Sequence, residues 1–180
     1  MLFGRFFERR RRERAAANLY MSVVEQARHP NFYTAFGVPD TLEARYDMIV
    51  LHAWLLMRRL GTAVDAAAKP LSQAIFDLMF ADMDRNLREM GVTDLRVGKR
   101  VQRMTEAFYG RAVAYDKALS EGEDVLQAAL ARNLYQSDTV SSAHLAAMAA
   151  YVKAQRAHVD AQDEVTLLGG AVSFEPPQVM

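Results

Sequence analysis

Cysteine is absent from the 180-residue chain, which excludes disulfide staples, thiolate nucleophiles and cysteine-ligated metal centres. Histidine is scarce: His29, His52, His144 and His158 are the four present. No acidic residue stands three places before any of them, so the Glu-x-x-His signature of di-iron helical bundles is missing. His144 and His158 fall on one helix face, but fourteen residues at about 1.5 Å rise separate them by roughly 21 Å, too far to share a metal. Long apolar runs are lacking too. The longest, Met48 to Met57, is interrupted by His52 and falls short of the ~20 residues a membrane-spanning helix needs. The first residues interleave phenylalanine with arginine and have neither the apolar core nor the small-residue cleavage site of a secretory signal. Nucleophile elbows, phosphate loops and dinucleotide fingerprints are likewise missing. No catalytic, cofactor-binding or metal-ligating residue is expected, and the sequence reads as a binding protein rather than an enzyme.

What is present is helical periodicity and an uneven charge distribution. The 22 basic and 22 acidic residues balance overall, but residues 1–14 hold six arginines against Glu8 and Glu13, leaving 16 basic against 20 acidic in the remainder. A basic arm is thus attached to a mildly acidic body. The 3.6-residue period predicts an all-α, single-domain, irregular bundle of five to seven helices, with no clean strand alternation. The expected organisation is an amphipathic or disordered basic arm over 1–14, a helical domain over 15–164 and an irregular tail over 165–180. The first helix is expected from about Arg11 to Arg28, stopped by His29-Pro30, followed by an aromatic-rich loop over 30–39.

A second helix is expected from an Asp40 cap to Gly61. Leu42, Tyr46, Ile49, Ala53, Leu56 and Leu60 form one stripe, and Met48, Leu51 and Leu55 a second. Both faces are therefore apolar, which places this helix centrally, with Arg45, His52 and Arg59 as a narrow polar seam. The ten methionines and this two-sided helix raise the prospect of an adaptable apolar groove. A third helix is expected from Pro70 to Gly91, a fourth from about Asp94 to Glu121, and a fifth from Asp124 to Leu134. A polar break at 136–138 leads into an alanine-rich helix reaching about Asp163. Asp77, Asp82 and Asp84, with Gln73 and Arg88, read as the polar strip of the third helix rather than as an acid/base set. Gly91 reads as a helix stop and Gly98 as a close-packing position.

Two clusters invite a partner. Leu2, Phe3, Phe6 and Phe7 followed by Arg9, Arg10, Arg11 and Arg12 suit an amphipathic segment on an anionic membrane surface, each basic residue contributing about 1 kcal/mol. Phosphate on RNA fits the same charges. Arg96, Lys99, Arg100 and Arg103 sit near the start of the fourth helix, where positive charge opposes the helix dipole. That placement invites a partner such as an acidic peptide, phosphate or lipid headgroup, on equal terms with long side chains solvated on a helix surface.

Several segments carry a likeness beyond periodicity: Arg28-His29-Pro30-Asn31-Phe32-Tyr33, Gly37-Val38-Pro39-Asp40-Thr41, Leu51-His52 and Arg59-Leu60. The likeness continues through Phe80 to Val92 (FADMDRNLREMGV), Asp94-Leu95, Val97-Gly98-Lys99, Met104 and Phe108-Tyr109-Gly110-Arg111. In order and spacing these resemble the ubiquinol-cytochrome c chaperone family, from about Asn18 to about Leu145. The resemblance implies an assembly factor for respiratory complex III that binds newly made cytochrome b and supports its maturation, with no cofactor and no catalytic residue. In the mitochondrial branch it further implies a small partner chaperone and ribosome contact. This chain looks like a bacterial form, expected in the cytoplasm at the inner face of the membrane. The alternative is a helical carrier or regulator holding a quinone, heme or lipid in an apolar cleft.

Overall fold

The computed structural model describes residues 2–137 and 139–178, with side chains from Phe6 onward. Among the described residues there is no strand. The helices are α1 (Leu2–Ala27), α2 (Pro30–Thr34), α3 (Leu42–Gly61), α4 (Ala68–Glu89), α5 (Asp94–Glu121), α6 (Glu123–Leu130), α7 (Ser142–Asp160) and α8 (Glu164–Leu168), and a π-turn covers Ala131–Tyr135. The all-α expectation holds.

α3 is the centre of the molecule. From Asp47 to Leu56 every residue is buried, and α1, α4, α5, α7 and the π-turn all pack on it. Between Asp47 and Leu56 both apolar stripes are thus consumed by core contacts, while Leu42 at the start of the helix stays exposed, so no groove runs along that central stretch. Met48, Met79, Met83 and Met148 lie in the same core. The expected seam is also not a seam: His52 is wholly buried, while Arg45 pairs with Asp40 at the surface and Arg59 donates to the Gln162 carbonyl.

Local chemistry explains where the ends differ from expectation. Nothing between Leu2 and Ala27 interrupts a helix, so α1 begins well before Arg11. Pro30 opens α2 rather than a loop, because its fixed φ suits a first turn and His29 Nδ1 accepts the Asn31 amide. Thr41, not Asp40, caps α3, its hydroxyl accepting from the Ala44 amide. α4 starts at Ala68, with Pro70 in the first turn, where no intrahelical donor is required. Gly91 ends the region in the left-handed conformation, its amide returning to Arg88 and that of Val92 to Leu87. Gly98 is exposed with nothing near its absent Cβ, so it is not a packing position. Where a fifth helix to Leu134 was expected, α6 ends at Leu130 and widens into the π-turn, which Gln136 closes in a left-handed conformation (φ 50°). Asp138, in the predicted polar break, lies outside the described residues.

α1 runs free of the body at its start. Between Phe6 and Arg14 no residue is buried, whereas Ala15, Ala16 and Leu19 are. Ala15 packs on Gly170, just after α8, whose Glu164 accepts the Val64 and Asp65 amides at the head of α4. The arm therefore leaves the body near the head of α4. Past α8, residues 171–178 have no helix or turn yet lie against the core through Val172 and Phe174.

Candidate functional site: internal polar networks and external faces

Two internal networks hold the buried Asp47 and His52, while buried Gln155 bonds the Glu175 backbone and the Tyr115 hydroxyl has no hydrogen-bond partner among the described residues. In the first, the Asp47 carboxylate on α3 meets Arg111 Nη2 at 2.9 Å and accepts from Gln136 Nε2 at 2.6 Å, joining α3, α5 and the end of the π-turn. Burial pushes the Asp47 carboxyl up to about 6, against the opposing pull of Arg111 and Gln136. In the second, His52 Nδ1 lies 2.8 Å from the Met48 carbonyl and Nε2 lies 2.7 Å from the Tyr151 hydroxyl. A neutral imidazole satisfies both: Nδ1 donates to the carbonyl and Nε2 accepts from the tyrosine. Tyr151 in turn accepts from Gln26 Nε2 at 2.8 Å. Burial holds the His52 pKa down at about 4, so the ring stays uncharged near neutrality. Phe32 packs edge-on to Tyr151, 5.0 Å between centroids, and 5.6 Å from His52.

These networks absorb most of the sequence motif. Phe32 and His52 are core. Tyr33 donates to the Ala27 carbonyl, and Gly37, at φ 67°, lets His144 approach its backbone. Asp82 accepts from the buried Tyr20 hydroxyl at 2.9 Å, and Asp84 and Asp94 both pair with Arg88. The acidic strip of α4 is therefore structural, with Asp77 held by Gln73. No group of metal-ligating side chains occurs among the described residues.

What remains for a partner is outside. Phe6 and Phe7 are exposed, Arg10 stacks over the Phe6 ring at 4.7 Å, and Arg9 pairs with Glu13. Arg11 is exposed and Arg12 half-buried, while the side chains of Leu2 and Phe3 lie outside the described residues. Arg96, Lys99, Arg100 and Arg103 are all exposed and recur at helical spacing along one side of α5. They make no ion pair among the described residues. Leu95, beside them, is 90% exposed. The stripe starts at the tail of α4, where Asp94 meets Arg88, and runs back along α5, whereas the arm leaves the body toward the head of α4.

A cleft missed in the sequence opens at the arm's end of the molecule. It holds about 630 Å³ between the C-terminus of α3, the 62–67 turn and the first turns of α4, with Met57, Val64, Phe76 and Tyr109 supplying apolar lining and Asp65 and Lys69 charge. Val64 is 96% and Tyr109 56% exposed. The signal for it was Tyr109 itself, an aromatic whose neighbour Phe108 fills the core position of the same helix.

This is an all-helical protein with its chemistry spent on cohesion and its distinctive groups displayed on the exterior, the pattern of a macromolecule-binding scaffold. The chain belongs to the ubiquinol-cytochrome c chaperone family, whose model matches residues 34–174, a family of assembly chaperones rather than enzymes. It is 29% identical over 163 residues to ubiquinol-cytochrome-c reductase complex assembly factor 1 of Xenopus laevis, covering 90% of this chain and 81% of that protein. Identity to the human protein of that description is also 29% over 163 residues, covering 90% of this chain. The chain spans about half (54%) of the human protein's length. A crystal structure of the Cbp3 homolog from Brucella abortus superposes with a TM-score of 0.87 at 34% identity, covering 100% of both chains. No described helix is long and apolar enough to cross a membrane.

Proposed function

We propose that this chain is an assembly chaperone for respiratory complex III that binds newly made cytochrome b beside the cytoplasmic face of the membrane and supports its maturation. The observation that carries the reading is the likeness to complex III assembly factors across nearly the whole folded body. The geometry supports a division of labour. The basic arm, with Phe6 and Phe7, rests on anionic headgroups. The apolar cleft near the arm meets a client segment leaving the bilayer. The stripe from Arg96 to Arg103, starting at the far end of α4, meets a second, anionic surface of client, ribosome or partner chaperone.

Two measurements test this. Deleting residues 1–14 leaves the helical signal of the body intact and weakens sedimentation with anionic vesicles at low salt; unchanged vesicle binding removes the arm from the account. Replacing Arg96, Lys99, Arg100 and Arg103 together by glutamine lowers recovery of cytochrome b with the chaperone without loss of helicity, and undiminished recovery removes the stripe.

A carrier of quinone, heme or lipid is the second reading, because the open cleft is lined mainly by apolar side chains with Asp65 and Lys69 beside them. The lining argues against heme, since no histidine contributes to it. A coloured or extractable ligand in the purified protein would favour the carrier.

A further inference from the structure

Residues 171–178 are held in a manner unlike the rest of the chain. Gln162 pairs with both main-chain groups of Ser173, donating to its carbonyl at 2.7 Å and accepting from its amide at 2.9 Å. Gln155 does the same to Glu175, at 2.8 Å and 3.1 Å. Gln26 of α1 adds a second donor to the Glu175 carbonyl at 2.7 Å, and Asn31 of α2 donates to the Pro177 carbonyl at 2.9 Å. The residues so read, 173, 175 and 177, alternate, as an extended chain with a period of two requires. Between them Phe174 turns inward, its ring edge-on to His52 at 5.4 Å, and Pro177 is buried.

Side-chain amides that grip a peptide by its backbone, with a pocket for one aromatic residue, form a general device for binding extended peptides: the main chain gives affinity and the pocket gives selectivity. Here the four amides come from α1, α2, α7 and the turn that follows α7, so the furrow is built by the body and only filled by the tail. Gly170, at φ 92° and packed on Ala15, is the pivot at which the tail enters it.

We propose that the furrow between α1 and α7 is a peptide-binding site that residues 171–178 occupy in cis. Its partner in trans is an extended protein segment carrying an aromatic residue followed three positions later by proline. The tether gives the cis segment an effective concentration on the order of millimolar, so a segment in trans enters when the tail is loosened or when it binds better. This site is separate from the arm, the cleft and the basic stripe, and does not depend on the identity of their partners.

The test is titration of full-length protein into a fluorescent peptide spanning residues 171–178. Wild type binds at least ten-fold more weakly than Phe174→Ala or Glu175→Pro, both of which loosen the resident tail. Glu175→Pro removes one amide donor and the carboxylate 3.5 Å from His158 Nδ1, both on an exposed residue, and so serves where Phe174→Ala does not fold. Adding Gln155→Ala and Gln162→Ala to Glu175→Pro abolishes binding, as does a peptide with alanine in place of Phe174. The proposal is overturned if the folded variants fail to bind the peptide saturably, or bind the alanine peptide equally. Global loss of helicity in both variants also overturns it, since the tail is then a part of the core rather than a ligand.

Discussion

Asp47 and Arg111 face each other at 2.9 Å between α3 and α5, with side chains only 2% and 15% exposed. A pair withdrawn from water to this degree is costly to break from one side, because the surviving charge has no solvent to turn to. Arg111→Ala therefore destabilises the protein by about 3–5 kcal/mol. Converting both partners to apolar residues of similar size, Asp47→Leu with Arg111→Met, costs markedly less. Urea denaturation of the single and double variants checks this, and equal losses in both would contradict it.

The hydrogen-bonded chain from Gln26 through Tyr151 to His52 predicts a sharp effect from losing one oxygen. Tyr151→Phe keeps the ring packed on Phe32 but leaves His52 Nε2 and one Gln26 contact unpaired. The expected cost is about 1–3 kcal/mol, read as a lowered denaturation midpoint with unchanged far-ultraviolet dichroism. No change would mean that the chain does not couple α1, α3 and α7.

Proton linkage gives opposed signs at two buried sites. His52 has its pKa lowered from 6.5 to about 4, so its contribution is full above pH 6.5 and is lost as pH falls toward 4. Asp47 is raised from 3.8 to about 6, so its contribution is full below pH 3.8 and is lost as pH rises toward 6. Each shift corresponds to about 3 kcal/mol, and between pH 4 and 6 the two largely cancel. Asp47→Asn should therefore make stability climb more steeply with pH across this window than in wild type, and His52→Gln should make it fall. Denaturation midpoints at pH 4.5, 5.5 and 6.5 give the slopes; three parallel profiles would refute both assignments.

Two glycines separate packing from propensity. A Cβ at Gly170 would stand 2.7 Å from Ala15 Cα, at φ 92°, so Gly170→Ala should cost roughly 2 kcal/mol or more from strain and displacement of α1. Gly98 lies inside α5 with nothing within 4 Å of the same atom, so Gly98→Ala should stabilise by about 0.5–1 kcal/mol. Melting temperatures moving in opposite directions bear this out.

The central helices were legible because periodicity reports burial directly. The apolar stripes of α3, and the helix ends at Gly61 and Gly91, follow from residues close in sequence. What sequence reasoning missed depends on distant partners. Asp47 resembles an ordinary polar interruption until Arg111, 64 positions on, is brought to it by the α4–α5 hairpin. The tail has the glycines and prolines of a loose end, yet its order comes from Gln26, 149 positions away from Glu175. The motif residues were visible but not their roles. Asp82 and His52 look like site chemistry in a string of letters and are fastenings in the fold.

Crosslinking in cells making cytochrome b, with a photoreactive residue replacing Tyr109 at the rim of the cleft, tests the client contact most directly. The expected result is an adduct with newly made cytochrome b that disappears as complex III matures. Absence of that adduct, with complex III assembling at its normal level in cells lacking the chain, would contradict it.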